Sequence, residues 1–135
     1  MDSKELYQTL EAYFPNNLDL MRHLKVNACW EYFITEKSTK EETPKLHYFL
    51  YKKDDNTLEM TRDNPGIEPD LLLYFTEGAI LQLIKGHPDA DEYYLRYREV
   101  MDNPKPGVEL DNKIDKARLK LWSLGYKNWQ KDFKF

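Results

Sequence analysis

Apolar positions along the chain switch between helical and alternating spacing, and the switches mark out its elements. Asp2 followed by Glu5 has the form of a capping box, and Leu6, Tyr7, Leu10, Tyr13 and Phe14 then repeat at helical spacing. Pro15-Asn16-Asn17 ends that helix, and Leu18, Met21 and Leu24 predict a second short one capped by Asn17. Three strands follow. Trp30, Tyr32 and Ile34 alternate with Glu31, Phe33 and Thr35, so the first strand is expected to be well covered on both faces. Glu36 to Pro44 is charged and reads as an exposed loop. Leu46, Tyr48 and Leu50 alternate with His47, Phe49 and Tyr51. Asp54-Asp55-Asn56 turns the chain into a third strand bearing Leu58 and Met60. Asn64-Pro65-Gly66 predicts a type II turn with Gly66 at the positive-φ position.

The stretch from Pro69 to Gly86 organises the rest. Leu71 to Phe75 is a continuous apolar run, which suits a strand over 70–75 buried on both sides. Thr76 supplies an N-cap oxygen and Glu77 an acid for the positive end of a helix over 77–85. Ala79, Ile80, Leu83 and Ile84 form its apolar face, and Gly86 stops it. A further helix starts at Pro88-Asp89 and carries Tyr93, Tyr94, Tyr97, Val100 and Met101 on one stripe. Asp102 to Gly107 cannot continue it. Val108, Leu110 and Ile114 predict a last, weak strand. From about Lys116, Leu119, Trp122, Tyr126, Trp129 and Phe133 fall at +3, +4, +3 and +4. That spacing predicts one amphipathic helix containing Gly125 at a cost of about 1 kcal/mol relative to Ala. A glycine there also leaves room for another backbone or a ligand to come close.

Length changes this picture little: 135 residues fit a single domain, 1–135, with a real core. Charge changes it more. Residues 113–135 carry seven basic and two acidic side chains, a net +5, which leaves −9 on the other 112. An acidic body argues against a general nucleic-acid binder, while the basic end either meets anionic lipid or neutralises the body. One cysteine, Cys29, excludes an internal disulfide and a Cys-based zinc site. The first residues hold no apolar signal segment and no stretch approaches membrane-spanning length, so a cytoplasmic location is expected.

Little in the chain points to catalysis. None of the five glycines forms a Gly-x-Gly pair, so phosphate-cradling loops are absent. His23, His47 and His87 are scattered, and acids at a helix start explain His87-Pro88-Asp89-Ala90-Asp91 better than a metal site does. Cys29 and His47 make a nucleophile–base pair only if neighbouring strands align them, and a lone cysteine in an apolar strand is far more often core. The expectation is a protein that is not an enzyme, with no cofactor and no metal.

The order of elements resembles that of the sterol carrier protein 2 family. Residues 69–86 are similar to that family's segment of Asp, apolar strand, Ser or Thr, acid, apolar helix and Gly. Leu-x-Leu-Trp-x-Leu-Gly-Tyr-Lys-x-Trp, from Leu119 to Trp129, resembles the C-terminal helix of its small stand-alone prokaryotic members. The resemblance covers residues 3–133, and Asp102 to Lys113 departs from shorter versions of the family. It implies an α/β sandwich, five mostly antiparallel strands covered by helices, with acyl chains, acyl-CoA, isoprenoids, sterols or other lipids bound between sheet and helices. It transfers no catalytic motif.

Wall candidates for such a tunnel are Trp30, Tyr32 and Ile34 from the first strand, and Ile80, Leu83 and Ile84 from the central helix. Tyr94 and Tyr97, with Leu119, Trp122, Tyr126 and Trp129, complete it. The same residues can instead pack on each other, leaving a dry protein-interaction or homodimerisation module. A carrier would also touch an anionic membrane surface through its basic C-terminal end.

Overall fold

The computed structural model describes residues 1–135. Five strands form one sheet: β1 Cys29–Thr35, β2 Leu46–Asp54, β3 Thr57–Thr61, β4 Leu71–Thr76 and β5 Leu110–Ile114. Their spatial order is β3-β2-β1-β4-β5. β1 and β4 run parallel and every other neighbouring pair is antiparallel. The helices are α1 Ser3–Glu11, α2 Glu77–Ile84, α3 Ala90–Asp102, α4 Arg118–Ser123 and α5 Tyr126–Asp132, with two 3-10 turns at Phe14–Asn16 and Leu18–Met21. The chain is thus α+β, with a mixed, mostly antiparallel five-stranded sheet.

Local chemistry sets the boundaries. Asp2 Oδ1 accepts from the Glu5 N–H at 2.8 Å, and Asp89 does the same for Glu92 at 2.9 Å, starting α1 and α3. Thr76 Oγ1 caps α2 through Ala79 N–H at 3.2 Å and also accepts from Glu109 N–H at 3.0 Å, so one hydroxyl ends β4, opens α2 and pins the approach to β5. Gly66 has φ +78, and its N–H reaches Asn64 Oδ1 at 2.8 Å, as the turn signal requires.

The helices cover only one face of the sheet. Trp30, Tyr32 and Ile34, Leu46, Tyr48 and Leu50, Leu58 and Met60, and Leu73 and Phe75 join one core cluster with α1, α2, α3, α5 and Leu121 of α4. Each large aliphatic or aromatic side chain so buried contributes about 1.5–3 kcal/mol. The expectation that β1 and β4 are covered on both sides does not hold. Glu31, Phe33, Leu72 and Tyr74 are only half-buried on the opposite face, because no helix crosses it. There His47, Phe33 and Tyr74 stack side by side across three strands, with successive ring centroids 4.9 Å apart.

The single C-terminal helix is also corrected. It breaks at Gly125, which adopts φ +100, and a Cβ there would lie 2.0 Å from the His23 carbonyl oxygen. The chain is held at this crossing by Lys25 N–H on Leu124 O at 3.0 Å. α4 and α5 therefore leave the break with independent helical phases. Leu121 rather than Leu119 turns inward, and Leu119 is 76% exposed.

Candidate functional site

An apolar cavity of about 390 Å³ lies between the sheet and the layer formed by α3, α4 and α5. Its floor is two rows of cross-strand neighbours. Trp30, Leu71 and Ile114 are aligned across β1, β4 and β5, and Tyr32, Leu73 and Asn112 form the next row. The third row, Ile34, Phe75 and Leu110, does not reach the cavity, because α2 packs over that end of the sheet. α3 contributes Tyr93, Tyr94 and Tyr97. α4 contributes Arg118, Leu121 and Trp122, and α5 adds Tyr126, Trp129 and Gln130. Phe135 lies across the C-terminal side, stacked on Trp129 at 5.2 Å.

Of the sequence-predicted wall residues, Trp30, Tyr32, Tyr94, Tyr97, Trp122, Tyr126 and Trp129 come together around this space. Ile34, Ile80, Leu83 and Ile84 do not; they are buried in the core where α2 meets β1 and β4. Leu119 is placed outside by the break at Gly125. Sequence reasoning missed Leu71, Leu73, Tyr93, Asn112, Ile114, Arg118, Leu121, Gln130 and Phe135. Alternation on β4 and β5 could have found Leu71, Leu73, Asn112 and Ile114 once their register was known. Nothing in the spacing of Leu121 marks it, since its inward turn depends on the break.

The polar tips of the aromatic wall are mostly turned away and satisfied within the protein. Tyr94 Oη and Trp129 Nε1 both donate to the Leu20 carbonyl, at 2.8 and 3.0 Å, which fastens α3 and α5 to the second 3-10 turn. Trp30 Nε1 donates to Tyr126 Oη at 2.9 Å, and that hydroxyl donates onward to Asp70 Oδ2 at 2.6 Å. Asp70, fully buried, also accepts from Cys29 N–H at 3.0 Å and is paired with the Lys116 ammonium. This network joins the start of β1, the start of β4 and α5 at one end of the cavity. Asn112 Nδ2 donates to Tyr97 Oη at 3.0 Å. The Tyr32 hydroxyl is fully enclosed and, like that of Tyr48 on the ring stacked against it, has no hydrogen-bond partner in the protein.

Electrostatically the wall is close to neutral. Burial pushes the Tyr97 hydroxyl up to about 12, against the hydrogen bond from Asn112. Burial also raises Tyr32, Tyr93, Tyr94 and Tyr126, so these phenols stay protonated at neutral pH. Arg118, at the open side, is the one charged side chain in the lining, and no acid is present.

Other candidate chemistry does not assemble. Burial, with Asp70 nearby, lifts the Cys29 thiol to about 12, so it is not an activated nucleophile. His47 pairs across the sheet with Phe33, four residues from Cys29, or about 13 Å along the strand. His47 Nε2 instead meets Glu31 Oε2 at 2.5 Å. No three potential metal ligands converge anywhere in the structure, and the His87 ring packs edge-on against Tyr13.

No family model and no curated protein matches the chain.

Proposed function

We propose that the protein binds or carries a hydrophobic small molecule, an acyl chain, isoprenoid or other lipid, between the sheet and α3–α5. The observation that carries this reading is the cavity itself: about 390 Å³, with thirteen of its sixteen lining residues hydrophobic and no acid among them. Ligand sites for small molecules start at about 300 Å³ and are lined mainly by apolar and aromatic side chains with a few placed polar groups. The inward fastening of Tyr94, Trp129, Trp30 and Tyr126 supports it, because those rings offer faces rather than polar tips to an occupant. The element order on which the resemblance to the sterol carrier protein 2 family rests runs through β5 in the structure, beyond which two helices stand in place of one.

The test is a thermal-shift panel of acyl chains, acyl-CoAs and isoprenoids. A ligand at one hundred times its Kd raises stability by about 2.7 kcal/mol through mass action. A panel with no shift would return the protein to the dry-core reading. That second reading, an interaction or homodimerisation module, is favoured by the uncovered sheet face with half-buried Phe33, Tyr74 and Leu72. A concentration-dependent dimer in sedimentation equilibrium, abolished by Phe33→Glu, would support it.

A further inference from the structure

We propose that the rim of the cavity docks on the surface of an anionic lipid bilayer, so that the cavity opens onto the membrane. The exposed members of the lining mark where the cavity opens, and they include Ile114 at 61% and Trp122 at 40% exposure. Leu119, one turn before Trp122 on the same side of α4, is 76% exposed. Three large apolar side chains thus project around one opening, where core packing gives them no role.

The charge around them is mostly basic, with Asp115, beside Ile114, the one acid in 113–131. Residues 116–131 contain Lys116, Arg118, Lys120, Lys127 and Lys131 and no acid, although the protein as a whole is −4. Lys116 is used internally by Asp70, and the other four make no ion pair. The Arg118 guanidinium lies 5.4 Å, and the Lys127 ammonium 4.9 Å, from the Trp122 ring centre. An indole flanked by two unpaired cations suits the headgroup level of a bilayer, where rings sit at the boundary and cations meet phosphates. Arg118 also stands in the first turn of α4, the wrong end for a cation to favour that helix's dipole, so helix stability does not explain it. The acidic remainder does not oppose docking strongly, because screening confines surface charge to about 10 Å in 0.1 M salt.

The test uses co-sedimentation of the full chain with vesicles of phosphatidylcholine alone or enriched in phosphatidylserine. Binding is expected on the anionic vesicles only, and is lost in roughly 0.5 M salt. Lys120→Glu with Lys127→Glu lowers it at least about 25-fold, at about fivefold per cation removed. Leu119→Ser, at an exposed site, lowers it about tenfold. Brominated lipid should quench the emission of Trp122, the one exposed tryptophan, and Trp122→Phe should remove that quenching. Background sedimentation on anionic vesicles at low salt overturns the proposal. So does an equal loss from Lys37→Glu with Lys40→Glu on the distant loop, or a concentration-dependent dimer without vesicle binding. Ligand binding is measured without vesicles, so failure here leaves the cavity reading standing.

Discussion

At the scale of single residues, Asp70 matters most to the site. Its carboxylate is fully buried and takes a backbone N–H from β1, a phenol from α5 and an ammonium from the loop between β5 and α4. Truncating one partner of such a set leaves the Lys116 charge half-enclosed and the Tyr126 hydroxyl without its acceptor. Asp70→Ala should therefore cost about 3–5 kcal/mol, read as a fall in the denaturant midpoint. Asp70→Asn, which keeps an acceptor, should cost less. An unchanged midpoint in Asp70→Ala would show that the network does not anchor α5. The sequence showed Asp70 only as the residue before an apolar run; its partners lie 41, 46 and 56 positions away, beyond any local pattern.

At the scale of elements, the strand-to-helix switch at Thr76 was legible because two local signals agree there, the change of period and the cap. The C-terminal segment was legible only as helix. Five residues at +3 and +4 spacing fit one helix, but the spacing carries no information about the His23 carbonyl, which occupies the place of a Gly125 side chain. That close approach breaks the helix and reverses the roles of Leu119 and Leu121. Gly125→Ala should lower stability by more than about 1 kcal/mol, since φ +100 and the clash both oppose a Cβ. It should also weaken any cavity ligand, because α5 carries Tyr126 and Trp129. A variant as stable as the wild type would restore the continuous helix.

At the scale of the molecule, Arg22 ties the second 3-10 turn to α3 and α5 through Asp19, Asp91 and Asp132. Hydrogen bonds from Arg22 hold the Asp19 and Asp132 carboxyls below their ordinary range, with His23 assisting at Asp132. A depressed folded-state value gives stability that is present above the unfolded value, about 3.9, and is lost as pH falls through the folded one. Melting temperature should hold steady from neutral pH to about 5 and fall below about 4. In Arg22→Ala the acid-side fall should be shallower, and an identical slope would remove these pairs from the account. The layered α+β plan was readable from element order. The bare face of the sheet was not, since Leu71 to Phe75 is apolar at every position and gives no sign that one face lacks a helix.

The central claim is that the space over Trp30, Leu71, Tyr32 and Leu73 holds a hydrophobic ligand. The most direct measurement is a fluorescent fatty acid titrated into the wild type and into Leu73→Trp, which fills the floor of the cavity, with circular dichroism confirming that both are folded. The account predicts a wild-type Kd of micromolar or below, about −8 kcal/mol, and at least about tenfold weaker binding in Leu73→Trp. No binding by the wild type, or equal binding by both proteins, would contradict it.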